Sequence, residues 1–450
     1  MRAHHLLSTI FALTVVSIAG LTTAAVHPEN NSGIAPATAA KLQRIARQNI
    51  ADNLSLFPDG TDFFRAAPGY PDVYLSDLGL TMTGLPDQFS AAQVKNVIDK
   101  FLARTSPAGW IPMALRQDSS VYVYCSGWDR RCAHATGDGA FFLPLLEELY
   151  WHKTGTTAQF MGDSRKVKAA LDGIPRDTAT GCVEVVPGDD WVAWGFEEEP
   201  RKTGLDAIGS VMYWRAATAV AHLYSRVKDS ANARYFARQA NLIQKSLQSQ
   251  SSLLWNPGAG MYYAASSQNR QIDILASALA VHCGLPTAAQ RAAIGQWLVK
   301  NYSSITYHGY VLQSPSSWAI VGYIPKKKGE PYGNSPFGAE SYQSAYWSVG
   351  NQWISEALSV SSPARAAALT NAFANNPDPT MEYSRLMAVR NTAFRRTSSR
   401  PLAVRHLPCP IDRQTSAQSP TSLAHLRLSS PPTPHPESRS CCGFRRKTAY

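Results

Sequence analysis

Apolar residues recur along this chain at intervals of three and four, the period of an α-helix with one buried face. Between residues 35 and 376 that spacing predicts eleven helices, at 37–54, 74–85, 91–103, 139–153, 165–171, 203–227, 231–247, 273–282, 287–300, 341–360 and 363–374. Leu42, Ile45 and Ile50 mark the stripe of the first, and Phe142, Leu145, Leu146 and Leu149 that of the fourth. Ile208, Val211, Met212, Ala219 and Leu223 mark the sixth. The breaks carry turn chemistry. In Cys283-Gly284-Leu285-Pro286 the glycine suits a helix end and the proline stands just before the next start. No β-rich stretch of comparable length interrupts the series. Short turns within pairs alternate with longer, aromatic-rich connections between pairs, so the repeating unit is a helical hairpin. Such hairpins stack as an open solenoid or close into a toroid. A fixed repeat of 30–40 residues, the mark of the common solenoids, is missing. The unequal, Trp-rich connections instead predict an all-α toroid whose loops form a pocket at one end.

Composition supports this and sets the two ends apart. Of 450 residues 44% are hydrophobic, with 11 Trp and 19 Tyr, enough for a large core and an aromatic-lined cleft. Arg2, the apolar stretch from Leu6 to Ala19, and Thr23-Ala24-Ala25 read as a secretory signal over 1–25. That stretch is shorter than the roughly 20 residues a membrane span needs. Secretion and no membrane partner are therefore expected. The net charge of +11 suggests a polyanion partner until it is located. Residues 385–450 hold 12 basic and 2 acidic residues, which leaves the body almost neutral and removes nucleic acid as an expected partner. The Ser/Pro/Arg-rich tail, 381–450, is expected to be disordered, leaving 26–380 as one helical domain, expected to be a monomer.

A secreted chain places its cysteines in an oxidising compartment. Cys125, Cys132, Cys182 and Cys283 allow two disulfides, with Cys125–Cys132 as a local loop closure. Asn30, Asn53 and Asn301 stand in N-x-S sequons and are expected at glycosylated surface positions. The cysteine and histidine spacing fits no metal site. No P-loop, dinucleotide or G-x-S-x-G fingerprint is present, so neither metal nor organic cofactor is expected.

The densest chemistry lies in Val186–Glu199, written VPGDDWVAWGFEEE. Asp189 and Asp190 crowd against Trp191 and Trp194; Glu197, Glu198 and Glu199 read as a solvated run beside Arg201 and Lys202. Carboxyls donate and accept protons at a glycosidic oxygen, and indole faces stack on sugar faces. Poor solvation between the two indoles raises the expected pKa of Asp190 and suits it as a general acid. Trp128 and Trp347 are further candidate platforms.

Five segments, in order, carry a family resemblance: Tyr74-Leu75-Ser76-Asp77-Leu78-Gly79-Leu80, Gly109-Trp110-Ile111-Pro112, Thr136-Gly137-Asp138-Gly139-Ala140-Phe141-Phe142-Leu143, Trp151-His152-Lys153-Thr154-Gly155, and the aromatic opening Ala345 to Trp353. Over residues 40–375 the chain resembles the six-hairpin (α/α)6 glycosidase superfamily, which includes trehalases, processing α-glucosidases and α-L-rhamnosidases. The resemblance implies an (α/α)6 toroid and inverting hydrolysis by an acid–base pair from different hairpins. Inversion needs carboxyls about 6.5–9.5 Å apart. It also implies that Glu340, just ahead of the aromatic late helix, is the base. Asp77, Asp138 and Asp189 would bind sugar hydroxyls, with Trp128, Trp191, Trp194 and Trp347 as platforms. In rhamnosidase-like relatives the acid comes from an early hairpin, which would give that role to Asp72 or Asp77 instead. The chain departs from the pattern in lacking a β-rich accessory domain, the trehalase signatures and a twelfth helix, so the last hairpin is expected to be incomplete. Two other readings remain open. One is a polysaccharide lyase or unsaturated-uronyl hydrolase, with Arg116, Arg130 and Arg131 near Tyr122 and Tyr124. The other is a non-catalytic sugar binder or an inactive remnant.

Overall fold

The structure, a computed structural model, describes residues 35–65, 72–124, 134–186, 193–194, 202–267, 270–312, 346–347 and 349–375. All belong to one compact unit, Met1–Ser399; a second unit, Arg400–Tyr450, lies outside the described residues. Eleven helices stand among the described residues. They are α1 (Pro36–Asn53), α2 (Leu75–Gly84), α3 (Ala91–Leu102), α4 (Gly137–Thr154), α5 (Ala158–Asp172), α6 (Ala207–Arg226), α7 (Ser230–Gln248), α8 (Ile274–His282), α9 (Ala288–Ile305), α10 (Asn351–Ser359) and α11 (Pro363–Asn375).

Each predicted helix is present, most within a few residues of its expected bounds. The exceptions have local causes. The expected helix over 341–360 starts only at Asn351, because Tyr346–Trp347 pairs as a strand and Gly350 (φ 81°) turns the chain. The fifth helix extends back to Ala158, a stretch whose polar outer face carries little periodicity. Ser90–Gln93 and Thr287–Gln290 form capping boxes that start α3 and α9, each side chain satisfying a backbone N–H that the helix leaves unpaired.

Even- and odd-numbered helices form two courses. α2, α4, α6, α8 and α10 pack side by side in an inner course, and the odd-numbered helices lie outside, most of them against the neighbouring inner helices. Inner helices are therefore covered on several sides: every residue of α8 is buried, as is α4 from Gly137 to Leu149. Outer helices α3 and α7 keep a single apolar stripe, Val94, Val97, Ile98 and Phe101 on one, Phe236, Ala240, Ile243 and Leu247 on the other. The outer course meets itself where α11 packs on α1, with Lys41 Nζ donating to Asn375 Oδ1 at 3.2 Å. No described helix joins α10 to α2 in the inner course; the expected twelfth position falls beyond Asn375, outside the described residues. The architecture is the expected all-α toroid of helical hairpins.

Connection lengths give the toroid two unlike ends. Turns from an inner helix to the next outer one have three to six residues, whereas returns to the next inner helix have 21 to 45. All inner helices therefore start at one end, where the long connections gather. Among the described residues those connections hold twelve short strands, β1 to β12, of two or three residues each. They pair as β1 (Leu54–Leu56) with β2 (Asp62–Phe64), β3 (Val73–Tyr74) with β4 (Ala114–Leu115) and β4 with β5 (Val121–Val123), β6 (Glu184–Val185) with β7 (Gly204–Leu205), β8 (Trp255–Asn256) with β9 (Met261–Tyr262), and β10 (Thr306–Tyr307) with β11 (Tyr310–Leu312) and β11 with β12 (Tyr346–Trp347), all antiparallel.

Two surface expectations are corrected. Asn53 is buried at the end of α1 and its Nδ2 donates to the Asn49 carbonyl at 2.8 Å, so this sequon offers no accessible amide. Asn301 is half-buried on α9 and bonds the Trp297 carbonyl at 2.8 Å; Asn30 lies outside the described residues. Cys182 and Cys283 are buried free thiols, so the two-disulfide framework does not form. Cys125 and Cys132 lie outside the described residues.

Candidate active site

The inner-helix starts are tied to one another through the long connections. The first residue of each of three inner helices donates its N–H to the connection preceding the next: Leu75 to Met113 O (2.9 Å), Gly137 to Ala193 O (2.9 Å) and Ala207 to Ala264 O (3.1 Å). These N–H groups have no intrahelical acceptor, so the links satisfy the helix ends while fixing the rim.

α6 and α8 add the same lock twice. The sequences Asp206-Ala207-Ile208-Gly209-Ser210 and Asp273-Ile274-Leu275-Ala276-Ser277 place an N-cap aspartate four residues before a serine. Asp206 accepts from Gly209 N at 2.6 Å and Asp273 from Ala276 N at 2.7 Å. Ser210 and Ser277 each donate to the backbone carbonyl of their aspartate and accept a backbone N–H, from Val183 just ahead of a strand and from Tyr262 in one, both at 3.0 Å. The same residues return the bond, Val183 O accepting from Asp206 N and Tyr262 O from Asp273 N. Lys202, also buried, stands 3.3 Å from Asp206 and 3.8 Å from Asp273, joining the two caps with one charge.

Asp77 and Asp138 sit in the first turns of α2 and α4, neighbouring inner helices. Glycines bring those turns together: a Cβ on Gly79 would meet the Phe142 ring at 2.3 Å, and one on Gly139 would meet Ile111 at 2.5 Å. Asp138 is completely buried, whereas Asp77 is crowded on most sides but keeps part of its surface open. Burial, reinforced by the Asp138 carboxylate, pushes the Asp77 pKa up to about 7. A carboxyl that keeps its proton near neutrality and stays reachable has the properties of a proton donor.

Beside it, β3 (Val73–Tyr74) leads from Asp72 into α2 and pairs with β4 (Ala114–Leu115), which pairs with β5 (Val121–Val123). An open cavity of about 570 Å³ lies against this sheet, lined among the described residues by Asp72, Arg116, Gln117, Asp118 and Tyr122. Burial raises the Asp72 pKa, opposed by the Arg116 charge.

Of the sequence-expected site residues, the structure brings Asp77 and Asp138 to the loop end. Trp194 is there too, but its indole is fully buried and packs 6.4 Å from Trp353, so it is a core residue and offers no face to a sugar. Trp347 lies in β12, at the same end, paired with Val311. Trp128, Asp189, Asp190, Trp191 and Glu340 lie outside the described residues. Their anchors do not. Ala193 is held by Gly137 N, and Gly209 packs on it closely enough that an added Cβ would approach its methyl to 2.7 Å. Asp190 stands three positions before Ala193 in the sequence. Glu340 is six residues from Tyr346, which pairs with Leu312 at the base of its connection. The sequence does not single out the cavity beside Arg116; its one sign there is Arg116 near Tyr122 and Tyr124, which also fits a uronate-binding cleft.

No protein-family model matches the chain, and no curated protein matches it by sequence. Among solved structures, the chain is similar to a GH63 mannosylglycerate hydrolase from Thermus thermophilus, at 16% identity and a TM-score of 0.47 over 74% of this chain and 90% of that one. A rhamnosidase from Klebsiella oxytoca matches at 14% identity and TM-score 0.42, covering 58% of this chain and 48% of that one. This chain therefore spans about half of that rhamnosidase's length. A metal-independent α-mannosidase of Streptococcus pneumoniae matches at 13% identity and TM-score 0.42, over 68% of this chain and 83% of that one.

Proposed function

We propose that the protein is a secreted glycoside hydrolase that works at the end of the toroid where the inner helices begin. The observation that carries this reading is the pair Asp77 and Asp138: two carboxyls in adjacent first turns, one sealed and one reachable, on a rim that also anchors the connections bearing Asp190 and Glu340. Hydrolysis needs a carboxylic acid to protonate the leaving oxygen and a carboxylate to activate water on the opposite face. The sequence assigns these to Asp190 and Glu340. Asp77 is the alternative acid, because its surroundings keep it protonated where an ordinary aspartate would be ionised. Asp138, with no exposed surface, acts through Asp77 as a positioning residue.

Leaving-group dependence separates the roles. A nitrophenolate departs without help, so the acid's replacement spares nitrophenyl glycosides while natural glycosides lose about 10²–10⁴-fold in rate. Loss of the base slows both. Asp77→Asn, Asp190→Asn and Glu340→Gln would be assayed on nitrophenyl glycosides and on a panel of oligosaccharides. Full activity of all three variants on the oligosaccharides would overturn the assignment, and no turnover of any glycoside by the wild type would overturn the activity.

A further inference from the structure

The cavity beside β3 and β4 is built from groups the proposed chemistry does not use. Asp72, which lines it, is buried, and Arg116 and Gln117 are exposed. The Arg116 guanidinium lies 5.6 Å from the centre of the Tyr122 ring, and no ion pair among the described residues engages it. Tyr122 meets Tyr74 edge-on at 6.4 Å. The tip of the β4–β5 hairpin holds this arrangement in place. Arg116 and Ser120 close the turn through Arg116 N to Ser120 O at 2.8 Å, and Asp118 Oδ1 accepts from Ser120 N at 2.8 Å and from Ser120 Oγ. From the other side, Arg104 Nε holds the Ser119 carbonyl at 2.7 Å. The donors and acceptors of the cavity are thus carried on a pinned turn and a sheet, which cuts the ordering cost of binding.

The charges select a class of ligand. Among the described lining residues one guanidinium, Arg116, stands with two carboxyls, Asp72 and Asp118, a balance without the excess positive charge that would favour an anion. The cavity offers instead an acceptor at Asp72, donors at Arg116 and Gln117, and an aromatic wall at Tyr122, the combination that suits the hydroxyl groups and apolar faces of an uncharged sugar. Its place matters equally: Asp72 is five residues before Asp77, and β3 runs directly into α2.

We infer that this cavity is a subsite for a neutral sugar unit of a longer glycan, lying next to the proposed cleavage site. The inference rests on the carbohydrate reading of the toroid end, and binding tests it separately from turnover. Full-length protein would be titrated calorimetrically with neutral hexasaccharide ladders (gluco-, manno- and xylo-configured) and with hexagalacturonate as the acidic comparator. The expected result is binding of a neutral hexasaccharide, weakened tenfold or more by Arg116→Ala and by Gln117→Ala, both exposed positions where folding is not at stake. Arg238→Ala, on the exposed face of α7, is expected to leave the affinity unchanged. Preference for hexagalacturonate, wild-type-like affinity in both cavity variants, or binding of no neutral ladder would each overturn the subsite. Binding without turnover would overturn the hydrolase activity and leave the subsite standing.

Discussion

At the residue scale, Asp77 shows how a functional position works against stability. The folded protein holds a proton on its carboxyl up to about pH 7, whereas an aspartate in the unfolded chain releases it near 3.8. Between those values the native state binds more protons, so stability falls as pH rises from about 4 to about 7 and is flat above. Asp77→Asn keeps the shape and removes the charge. The variant is expected to melt above the wild type at pH 7–8, with the difference vanishing below pH 4, in thermal scans followed by circular dichroism. A wild-type advantage at pH 8 would show that the carboxylate is stabilised in place. Nothing in the string Leu75-Ser76-Asp77-Leu78 distinguishes this aspartate from an ordinary first-turn acid, because its proton depends on burial by the fold and, secondly, on Asp138, 61 positions away.

At the scale of the element, α4 illustrates what an inner helix demands. Its Glu147 is buried against α3 and α5, and burial, with Asp163 and Asp99 nearby, pushes its pKa up to about 9. By the same sign argument, Glu147→Gln is expected to gain on the wild type progressively from pH 5 to pH 9, read from urea midpoints. In the sequence Glu147 and Glu148 stand between apolar stripe residues Leu146 and Leu149; Glu148 is buried as well and pairs with His222 Nδ1 at 3.0 Å. Helix periodicity indicated α4 correctly but could not indicate that its polar side also faces protein. The repeated caps make a second test. Ser277→Ala removes the acceptor of the buried Tyr262 N–H and a donor to the Asp273 carbonyl, and is expected to cost about 1–3 kcal/mol in urea unfolding. A loss below a few tenths would mean that the lock does not hold the strand. These two D-x-[IL]-[GA]-S segments are visible in the sequence, but their equivalence becomes apparent only when both are seen to start inner helices.

For the whole molecule, the last hairpin is held where chain segments far apart meet. Gly309, at φ 86°, turns the β10–β11 hairpin against α11, and a Cβ there would lie 2.1 Å from Phe373 N. Asn351 Nδ2 bonds the Gly309 carbonyl, and Tyr310 packs edge-on to Phe373 at 5.7 Å. Gly309→Ala is expected to cost about 3 kcal/mol or more and to expose α10 and α11 first, seen in limited proteolysis by trypsin as cleavage after Arg365 earlier than in the wild type. An earlier new cut at any other site within residues 35–375 would refute that hierarchy.

The sequence by itself determined the eleven helices and their pairing, since a stripe at 3.6-residue spacing has one low-energy conformation and short turns force neighbours together. It also determined that the acidic and aromatic run Val186–Glu199 falls in a connection ahead of a long helix. The twelve strands among the described residues escaped it because segments of two or three residues have no measurable period; their partners alone define them. Only the tertiary structure separated Trp194, sealed in the core, from the platform role its neighbours suggested. Only the tertiary structure, too, joined Asp77 to Asp138 and raised a cavity between Asp72 and Arg116. Burial and charge proximity are sums over residues distant in sequence, and no local pattern contains them.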